Sequence, residues 1–519
     1  MIASKVQIAL LTLLVPALTP GHPAPQAPQS IYASGMEALR KGDFRLAQQI
    51  FSKLVAEQPS GESFYFLGVA EASGGDLADA ILHLRKSIRL GRDNAPTHYN
   101  LGIAELKSGQ SSAAVRDFQA AVRLDPSYVS ARYALGTALL EAGQPLPAIT
   151  SLEAARAQSP HSPEIWAKLV EAEFAAGNAP EALHKTKQAI DALPDNPRLA
   201  VTLASFCIQN RQPQEARRLL ENANEFLPED GEVKLLLAKA SLMAGEPLEA
   251  LAVLKNVPPG SGKPGDRLLM LGEARALTGN VNAAAADLAE IVKSAPGNVT
   301  YLAAYAWALQ LAGRHEEALA SLARARTLAP RSPAIPYREA VSYYFLKNYA
   351  QAASACLDAL HLAPQYDPAY LLLGKVRIEQ KNFVAARAAL ERAAALRPDI
   401  ALYHRQLGVA LFKSGELKAC GQEIDRAMSL DPKAPEAYYW RAQLKAQEGQ
   451  ELSALDDLNA AVTLRPNYAD AYIALAKLYS ETGQPEKARE ALSKLHATQS
   501  SSASQEGNRM LQDLPEVAR

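Results

Sequence analysis

The sequence is poor in cysteine, in aromatic residues and in net charge, and each shortage narrows the possible functions. Only three of the 519 residues are cysteines, and the formal net charge is −1. The cysteines lie far apart and match no Cys-x-x-Cys pattern, which argues against a disulfide framework and against a zinc site. A net charge so close to zero provides no overall field that would attract nucleic acid or an anionic membrane. We expect all three cysteines to be small buried side chains, at Cys207, Cys356 and Cys420.

The sequence also lacks the local motifs of common catalytic sites. Its nine histidines are scattered, and no pair of them has the spacing of metal ligands. It contains no phosphate-binding glycine loop and no nucleophile elbow. We therefore predict that the protein is not an enzyme and that it holds no cofactor and no metal.

Long apolar runs are missing except at the N-terminus. Lys5 precedes an apolar stretch from Val6 to Leu18, and a segment rich in Pro, Ala and Gln follows. A charged start, a short apolar core and a small-residue exit are typical of a secretory signal peptide. We predict a signal peptide and Pro-rich exit at residues 1–24, and an exported mature protein, periplasmic or secreted, without a transmembrane segment. The alternative is a protein anchored in the membrane by an uncleaved N-terminal segment.

What the sequence does contain is an internal period of 34 residues. The unit is clearest at residues 97–126, which read as two short amphipathic helices, around Tyr99–Lys107 and Ala113–Leu124. Steps of 34 residues from Gly102, the reference position, reach Gly or Ala at twelve of thirteen places. Seven residues later Gly fills ten of thirteen places, as a turn with a left-handed backbone requires. The three exceptions are Arg211, Lys347 and Lys381.

Further positions of the period define the second helix and its end. Ala recurs twelve and nineteen residues past the reference, and Leu dominates sixteen past it, so these residues share one helical face. Pro stands 24 past the reference in most units, for example at Pro126, and ends the second helix. We count fourteen units, from about residue 28 to about residue 502.

This pattern resembles the tetratricopeptide repeat family, and the resemblance covers most of the chain. It implies an all-α fold in which antiparallel helix pairs stack into a right-handed superhelical solenoid, with the first helices lining a concave groove. The sequence departs from the family three residues past the reference, where charged residues replace apolar ones. Those positions include Glu71, Glu105, Glu173, Arg275 and Arg377.

The resemblance also implies which residues face the groove. Tyrosines at 34-residue intervals would form an aromatic ladder along it, and Asn100 matches a position where the family often presents an amide to a bound peptide backbone. The constellation by which some members clamp a free C-terminus is incomplete in this sequence. The candidate groove residues are Tyr65, Val69, Tyr99, Asn100, Ile103, Leu106, Tyr133, Leu140 and Phe174, and in a second cluster Trp307, Tyr337, Val341, Tyr344 and Phe345, continued by Phe412 and Tyr439.

The chain is thus expected to carry repeats 1–7 at residues 25–257 and repeats 8–14 at residues 266–496. A Pro/Gly-rich junction at 258–265 separates them, and a flexible tail follows at 497–519. The predicted function is that of an exported scaffold that binds a protein or an extended peptide in its groove, for instance in envelope assembly or secretion, and that binds no nucleic acid. Two alternatives are a regulatory or substrate-presenting partner of a separate enzyme, and a glycan-binding or exopolysaccharide export factor.

Overall fold

The computed structural model describes residues 29–498, and these residues form helices and turns without any strand. The predicted signal segment at 1–24, and all but the first two residues of the predicted tail at 497–519, lie outside them. In chain order the helices are α1 (Gln29–Lys41), α2 (Phe44–Glu57), α3 (Gly61–Gly74), α4 (Leu77–Arg89), α5 (Ala95–Lys107), α6 (Ser111–Leu124), α7 (Val129–Glu141), α8 (Pro145–Gln158), α9 (Pro163–Ala175), α10 (Ala179–Ala192), α11 (Pro197–Gln209), α12 (Pro213–Phe226), α13 (Gly231–Met243), α14 (Pro247–Lys255), α15 (Asp266–Leu277), α16 (Val281–Ser294), α17 (Val299–Leu311), α18 (His315–Leu328), α19 (Ala334–Phe345), α20 (Tyr349–Leu362), α21 (Asp367–Glu379), α22 (Phe383–Leu396), α23 (Ala401–Ser414), α24 (Leu417–Leu430), α25 (Pro435–Gln447), α26 (Glu451–Leu464), α27 (Ala469–Glu481) and α28 (Pro485–Thr498).

The chain divides into two compact units, with α1–α13 in the first and α14–α28 in the second. Within each unit, consecutive helices pack against each other, and the first helices of neighbouring pairs, such as α3 and α5, also touch. This succession of packed helix pairs confirms the predicted all-α repeat fold. None of the helices within residues 29–498 has the length and apolar character that a membrane span needs.

In most pairs the two helices cross where a small residue faces a large one. Gly102 on α5 faces Phe118 on α6, and a Cβ atom added at Gly102 would lie 2.7 Å from Cε1 of the ring. Phe118 is fully buried, so its ring has no space into which it could retreat. At the equivalent positions of α9 and α10 the residues are Val170 and Thr186, both buried. The sizes of the two residues are therefore matched at both crossings.

The turn inside each pair uses a left-handed residue to satisfy the last carbonyls of the first helix. Gly109 has φ +79°, its N–H donates to the Leu106 carbonyl at 3.0 Å, and the next N–H, of Gln110, donates to the Glu105 carbonyl at 2.8 Å. The three exceptions in the sequence keep the same geometry, with φ of 55° at Arg211, 58° at Lys347 and 59° at Lys381. The repeat therefore imposes this conformation even where a side chain makes it unfavourable.

A second recurring contact anchors the start of the first helix. In five units, chemically different side chains four residues before the reference reach the carbonyl six residues earlier, which belongs to the helix-ending proline. The donor–acceptor pairs are Arg132 Nε and Pro126 at 2.8 Å, Trp166 Nε1 and Pro160 at 2.8 Å, Tyr370 Oη and Pro364 at 3.3 Å, His404 Nε2 and Pro398 at 3.1 Å, and Tyr438 Oη and Pro432 at 3.1 Å. The contact is confined to part of the units, since the same position holds Ala200, Leu268 and Pro336 elsewhere.

The Pro/Gly-rich segment 258–265 lies in the second unit and is held there by side chains. The Tyr301 hydroxyl donates to the Pro264 carbonyl at 2.9 Å, and Arg267 Nε donates to the Leu254 carbonyl at 3.1 Å. Gly260 and Gly265 both have positive φ, which fits the predicted turn chemistry. The division of the chain into repeats 1–7 and 8–14 at this segment stays a prediction.

Candidate functional site

The candidate groove residues of the first unit all lie on the first helices of their pairs. Tyr65 and Val69 lie on α3, and Tyr133 and Leu140 lie on α7. The candidates on α5 are Tyr99, Asn100, Ile103 and Leu106, and Phe174 lies on α9. A hydrogen bond joins two successive first helices, because Asn100 Nδ2 donates to the Tyr65 hydroxyl at 3.0 Å. Burial, followed by the neighbouring phenols of Tyr133 and Tyr65, raises the pKa of Tyr99 to about 12. The structure thus brings the three tyrosines of the ladder together.

These residues differ in how much of their surface solvent can reach. Tyr65, Val69, Tyr99, Asn100, Ile103 and Phe174 are buried. Leu106, Tyr133 and Leu140 are half-buried. The candidate residues of the first unit therefore form two layers, and a partner would contact the half-buried layer first.

The amide of Asn100 is only partly satisfied. Its Nδ2 donates to the Tyr65 hydroxyl and to the Pro96 carbonyl at 2.9 Å. Its Oδ1 is buried and accepts no hydrogen bond from the described residues. A buried acceptor without a donor is costly, which makes this oxygen a candidate for an external N–H group.

Two residues of this cluster were missed by the sequence reasoning. The ring of Tyr128 lies 5.2 Å from the ring of Tyr99, and the guanidinium of Arg92 lies over the ring of Tyr65 at 4.2 Å. Both residues lie in the loops between pairs, whereas the prediction considered only the first helices. The first unit's aromatic cluster therefore includes loop residues as well.

Tyr128 belongs to a contact that recurs through the chain. Tyr99–Tyr128, Tyr337–Tyr366 and Tyr439–Tyr468 have ring centroids 5.2, 5.4 and 5.5 Å apart. Each second tyrosine follows a helix-ending proline as Pro-x-Tyr, at the same distance along the chain from the first. This Pro-x-Tyr signal, paired with a tyrosine three residues before the reference, would have identified all three contacts.

The first five candidates of the second unit fall into two apolar clusters. Trp307 on α17 is half-buried and packs with the core of α16–α18. Tyr337, Val341, Tyr344 and Phe345 on α19 belong to the next cluster, where the first two are buried and the last two are half-buried. The structure therefore separates Trp307 from the other four. Phe412 and Tyr439 pack against two later apolar clusters of the second unit. The binding role of all sixteen candidate residues stays a prediction.

Glu105, one of the charged residues three past the reference, is buried in an ion pair. Glu105 is fully buried and accepts from Arg85 Nη2 at 2.7 Å through Oε1. Burial, opposed by Arg85 and reinforced by Asp117, raises the pKa of Glu105 to about 7. His98 Nδ1 lies 2.6 Å from Asp117 Oδ1, and this bond raises the pKa of His98. This network connects α4, α5 and α6 beneath the ladder.

The three cysteines are buried and unpaired, as predicted. Burial raises the pKa of the Cys207 thiol to about 12 and that of the Cys420 thiol to about 11, and it raises the pKa of Cys356 as well. These thiols are therefore protonated at neutral pH and are weak nucleophiles. Within residues 29–498 no group of three His, Cys, Asp or Glu side chains is placed to hold a metal ion.

Comparison with known proteins gives a family match and a few similar structures. Two sequence profiles described as Tetratricopeptide repeat match the chain, one at residues 32–95, 99–146, 269–333, 337–399 and 371–435, the other at 139–184, 173–240, 208–271 and 445–504. A crystal structure of the APC/C hetero-tetramer Cut9–Hcn1 is 17% identical and covers 95% of this chain and 97% of its own, with a TM-score of 0.44. Two crystal structures of MamA are each 27% identical and cover 33% and 32% of this chain and 94% and 96% of their own, with TM-scores of 0.31 and 0.30. No curated protein matches this chain.

Proposed function

Because this chain belongs to the tetratricopeptide repeat family, whose repeats support protein interactions, we propose that it is a non-enzymatic scaffold for a protein or an extended peptide. The partner would lie along the first helices of the first unit. The hydrogen bond between Tyr65 and Asn100 is the observation that carries this proposal, since it makes the candidate surfaces of α3 and α5 continuous. The unsatisfied Oδ1 of Asn100 supports a partner with backbone N–H groups.

The half-buried residues would make the first contact. Leu106, Tyr133 and Leu140 combine apolar area with access to solvent. Tyrosine gives a large contact area at a low cost in side-chain entropy, and it is enriched among the residues that dominate binding energy. The buried residues Tyr99 and Ile103 form the layer beneath and fix the position of the contact residues.

We further propose that the protein acts after export, in the periplasm or outside the cell, in envelope assembly or secretion. The apolar stretch from Val6 to Leu18 behind Lys5 supports this location. Deletion of residues 1–24 should retain the protein in the cytoplasm, and fractionation of cells that express both forms measures this. An unchanged distribution would contradict the proposed export.

Site-specific photo-crosslinking tests the proposed surface. A photoreactive amino acid at Leu106 or at Tyr133 should capture a protein from the envelope fraction of the source. The same amino acid at Leu146, which lies on the second helix α8 and is 69% exposed, is the matched control and should capture nothing. Equal capture at Leu146, or capture there alone, would place the partner elsewhere.

The same experiment separates the two alternative functions. Retention of the chain on a polysaccharide matrix, without a crosslinked protein, would favour a glycan-binding or exopolysaccharide export factor. Crosslinking to one enzyme, with a change in that enzyme's activity, would favour a regulatory or substrate-presenting partner. Tyr133→Ala is preferable to Tyr99→Ala for these assays, because the buried Tyr99 also supports the fold.

A further inference from the structure

Arg92 occupies a position that the repeat normally gives to proline. It stands 24 residues after Gly68, where Pro126 and Pro160 stand in the next two units. Helix α4 still ends here, because Gly91 adopts φ +94° and the Arg92 N–H donates to the Ser87 carbonyl at 3.1 Å. The proline was therefore not needed to end the helix, and the departure places a guanidinium beside the aromatic ladder.

The guanidinium of Arg92 is withdrawn from water and poorly neutralised. It lies 4.2 Å from the ring centroid of Tyr65 and 5.6 Å from that of Phe66, and its side chain is only 24% exposed. Its carboxylate neighbour is Glu62 at 3.5 Å, whose side chain is 65% exposed, and such a solvated pair contributes little. The adjacent Asp93 is 2.8 Å from His98 Nε2. Among the residues that the structure describes, the charge of Arg92 therefore lacks a strong carboxylate partner.

The hydrogen-bonding capacity of Arg92 is also incomplete. Its Nε is buried and has no acceptor among the residues that the structure describes. Arginine and a carboxylate form short, charge-assisted hydrogen bonds, often two at a time. We propose that Arg92 binds an aspartate or glutamate side chain of the partner segment, in place of Glu62, and so selects acidic segments; this inference rests on the proposed function.

Arg465 in the second unit shares two of these features. The guanidinium of Arg465 lies 4.9 Å from the ring centroid of Tyr468, and its Nε is buried without an acceptor in the described part of the chain. It differs from Arg92 because it is paired directly with the carboxylate of Glu436, which also accepts from Arg405 Nη1 at 2.7 Å. Of the two arginines, Arg92 is therefore the one with the weaker carboxylate partner.

Peptide selection on the full chain tests the inference. Random peptides, displayed with their C-termini fused so that no free carboxylate is present, are selected on the wild type, on Arg92→Gln and on Arg92→Lys. Arg89→Gln is the matched control, because it removes the same charge from the exposed face of α4. Wild type and Arg89→Gln should enrich Asp or Glu at one position, whereas Arg92→Gln should not. Arg92→Lys should retain part of the preference, since lysine keeps the positive charge but lacks the planar guanidinium that can bind both oxygens of a carboxylate.

A peptide from this selection then measures how much its acidic residue contributes to binding affinity. Replacement of its acidic residue by the amide should weaken binding to the wild type by about tenfold to a hundredfold, the usual worth of a hydrogen bond to a charged group. The same replacement should leave binding to Arg92→Gln unchanged, provided that thermal melting shows this variant to be folded. Peptides that bind without any acidic preference, or with a preference that survives in Arg92→Gln, would overturn the role of Arg92 alone. Failure to select any peptide on the wild type would overturn this inference and the extended-peptide form of the proposed function, whereas capture at Leu106 or Tyr133 by photo-crosslinking would still support a folded protein partner.

Discussion

The crossing of α5 and α6 allows the packing argument to be tested by a double-mutant cycle. In Gly102→Ala the new Cβ would lie 2.7, 2.9 and 3.0 Å from three atoms of the Phe118 ring, closer than carbon atoms pack. Such overpacking costs about 1–3 kcal/mol, while alanine in place of glycine returns about 1 kcal/mol of helix propensity. We therefore expect Gly102→Ala to lower the free energy of unfolding by about 1 kcal/mol.

The second substitution should relieve the clash. Phe118→Leu alone should cost about 1–2 kcal/mol, because it leaves a cavity in a fully buried site. The double variant recreates the combination that Ala306 and Leu322 already form on α17 and α18. It should therefore be more stable than the sum of the two single changes predicts, by about 1–2 kcal/mol.

Urea unfolding followed by circular dichroism measures the cycle. Hydrogen exchange of the α5 and α6 amides locates the effect, because repeat arrays need not unfold in two states. Gly421→Ala inside α24 is the control, since its new Cβ would meet only the terminal Cδ2 of Leu444, at 3.3 Å. Strictly additive losses, or a Gly102→Ala variant as stable as the wild type, would refute the size matching.

Three further changes test other parts of the structure. Lys347→Gly should stabilise the second unit by about 0.5–1 kcal/mol because it relieves φ of 58°, whereas Lys347→Ala should not, and a gain from both in urea unfolding would contradict the backbone argument. Glu105→Gln should reduce the pH dependence of stability, because the pKa of Glu105 in the folded protein is about 7 and its ordinary pKa is 4.5. Between these two pKa values the folded protein binds more protons than the unfolded chain, so the folded protein loses stability as the pH rises. The wild type should thus lose about 1–3 kcal/mol more than Glu105→Gln between pH 5 and pH 8, and parallel urea midpoints would refute this. Tyr438→Phe, which removes a 3.1 Å bond to the Pro432 carbonyl, should cost about 0.5–1.5 kcal/mol by thermal unfolding, and Tyr370→Phe, which removes a longer one, should cost less.

The ends of the helices show which parts of the fold were predictable. The sequence placed the end of α5 at Lys107 and the end of α6 at Leu124, and the structure agrees. Both ends are marked by residues that recur in most units, a turn glycine and a helix-ending proline. The start of α5 was placed four residues late, because it is set by Asn94, whose side chain accepts from the Thr97 N–H at 3.1 Å. Capping side chains stand at the same position of the period in other units, at Ser60, Ser162, Asn196, Asp230 and Asn298. The cap therefore recurs with the period, and the prediction missed it because it considered only the Gly, Ala, Leu and Pro columns.

The residues missed around the ladder have a different explanation, since they lie in the loops between the helix pairs. The sequence identified Tyr65 and Tyr99 as one column, since helical periodicity places them on one face. It did not show that both are buried, because their exposure depends on loop residues outside the helical pattern. Tyr128 covers Tyr99, and Arg92 covers Tyr65. Arg92 stands where the repeat has proline, so a departure from the period, and not the period itself, indicated where this surface becomes specific. Selection for the fold accounts for the shared positions and leaves Arg92 unexplained, which is why its substitution is the sharpest test of function.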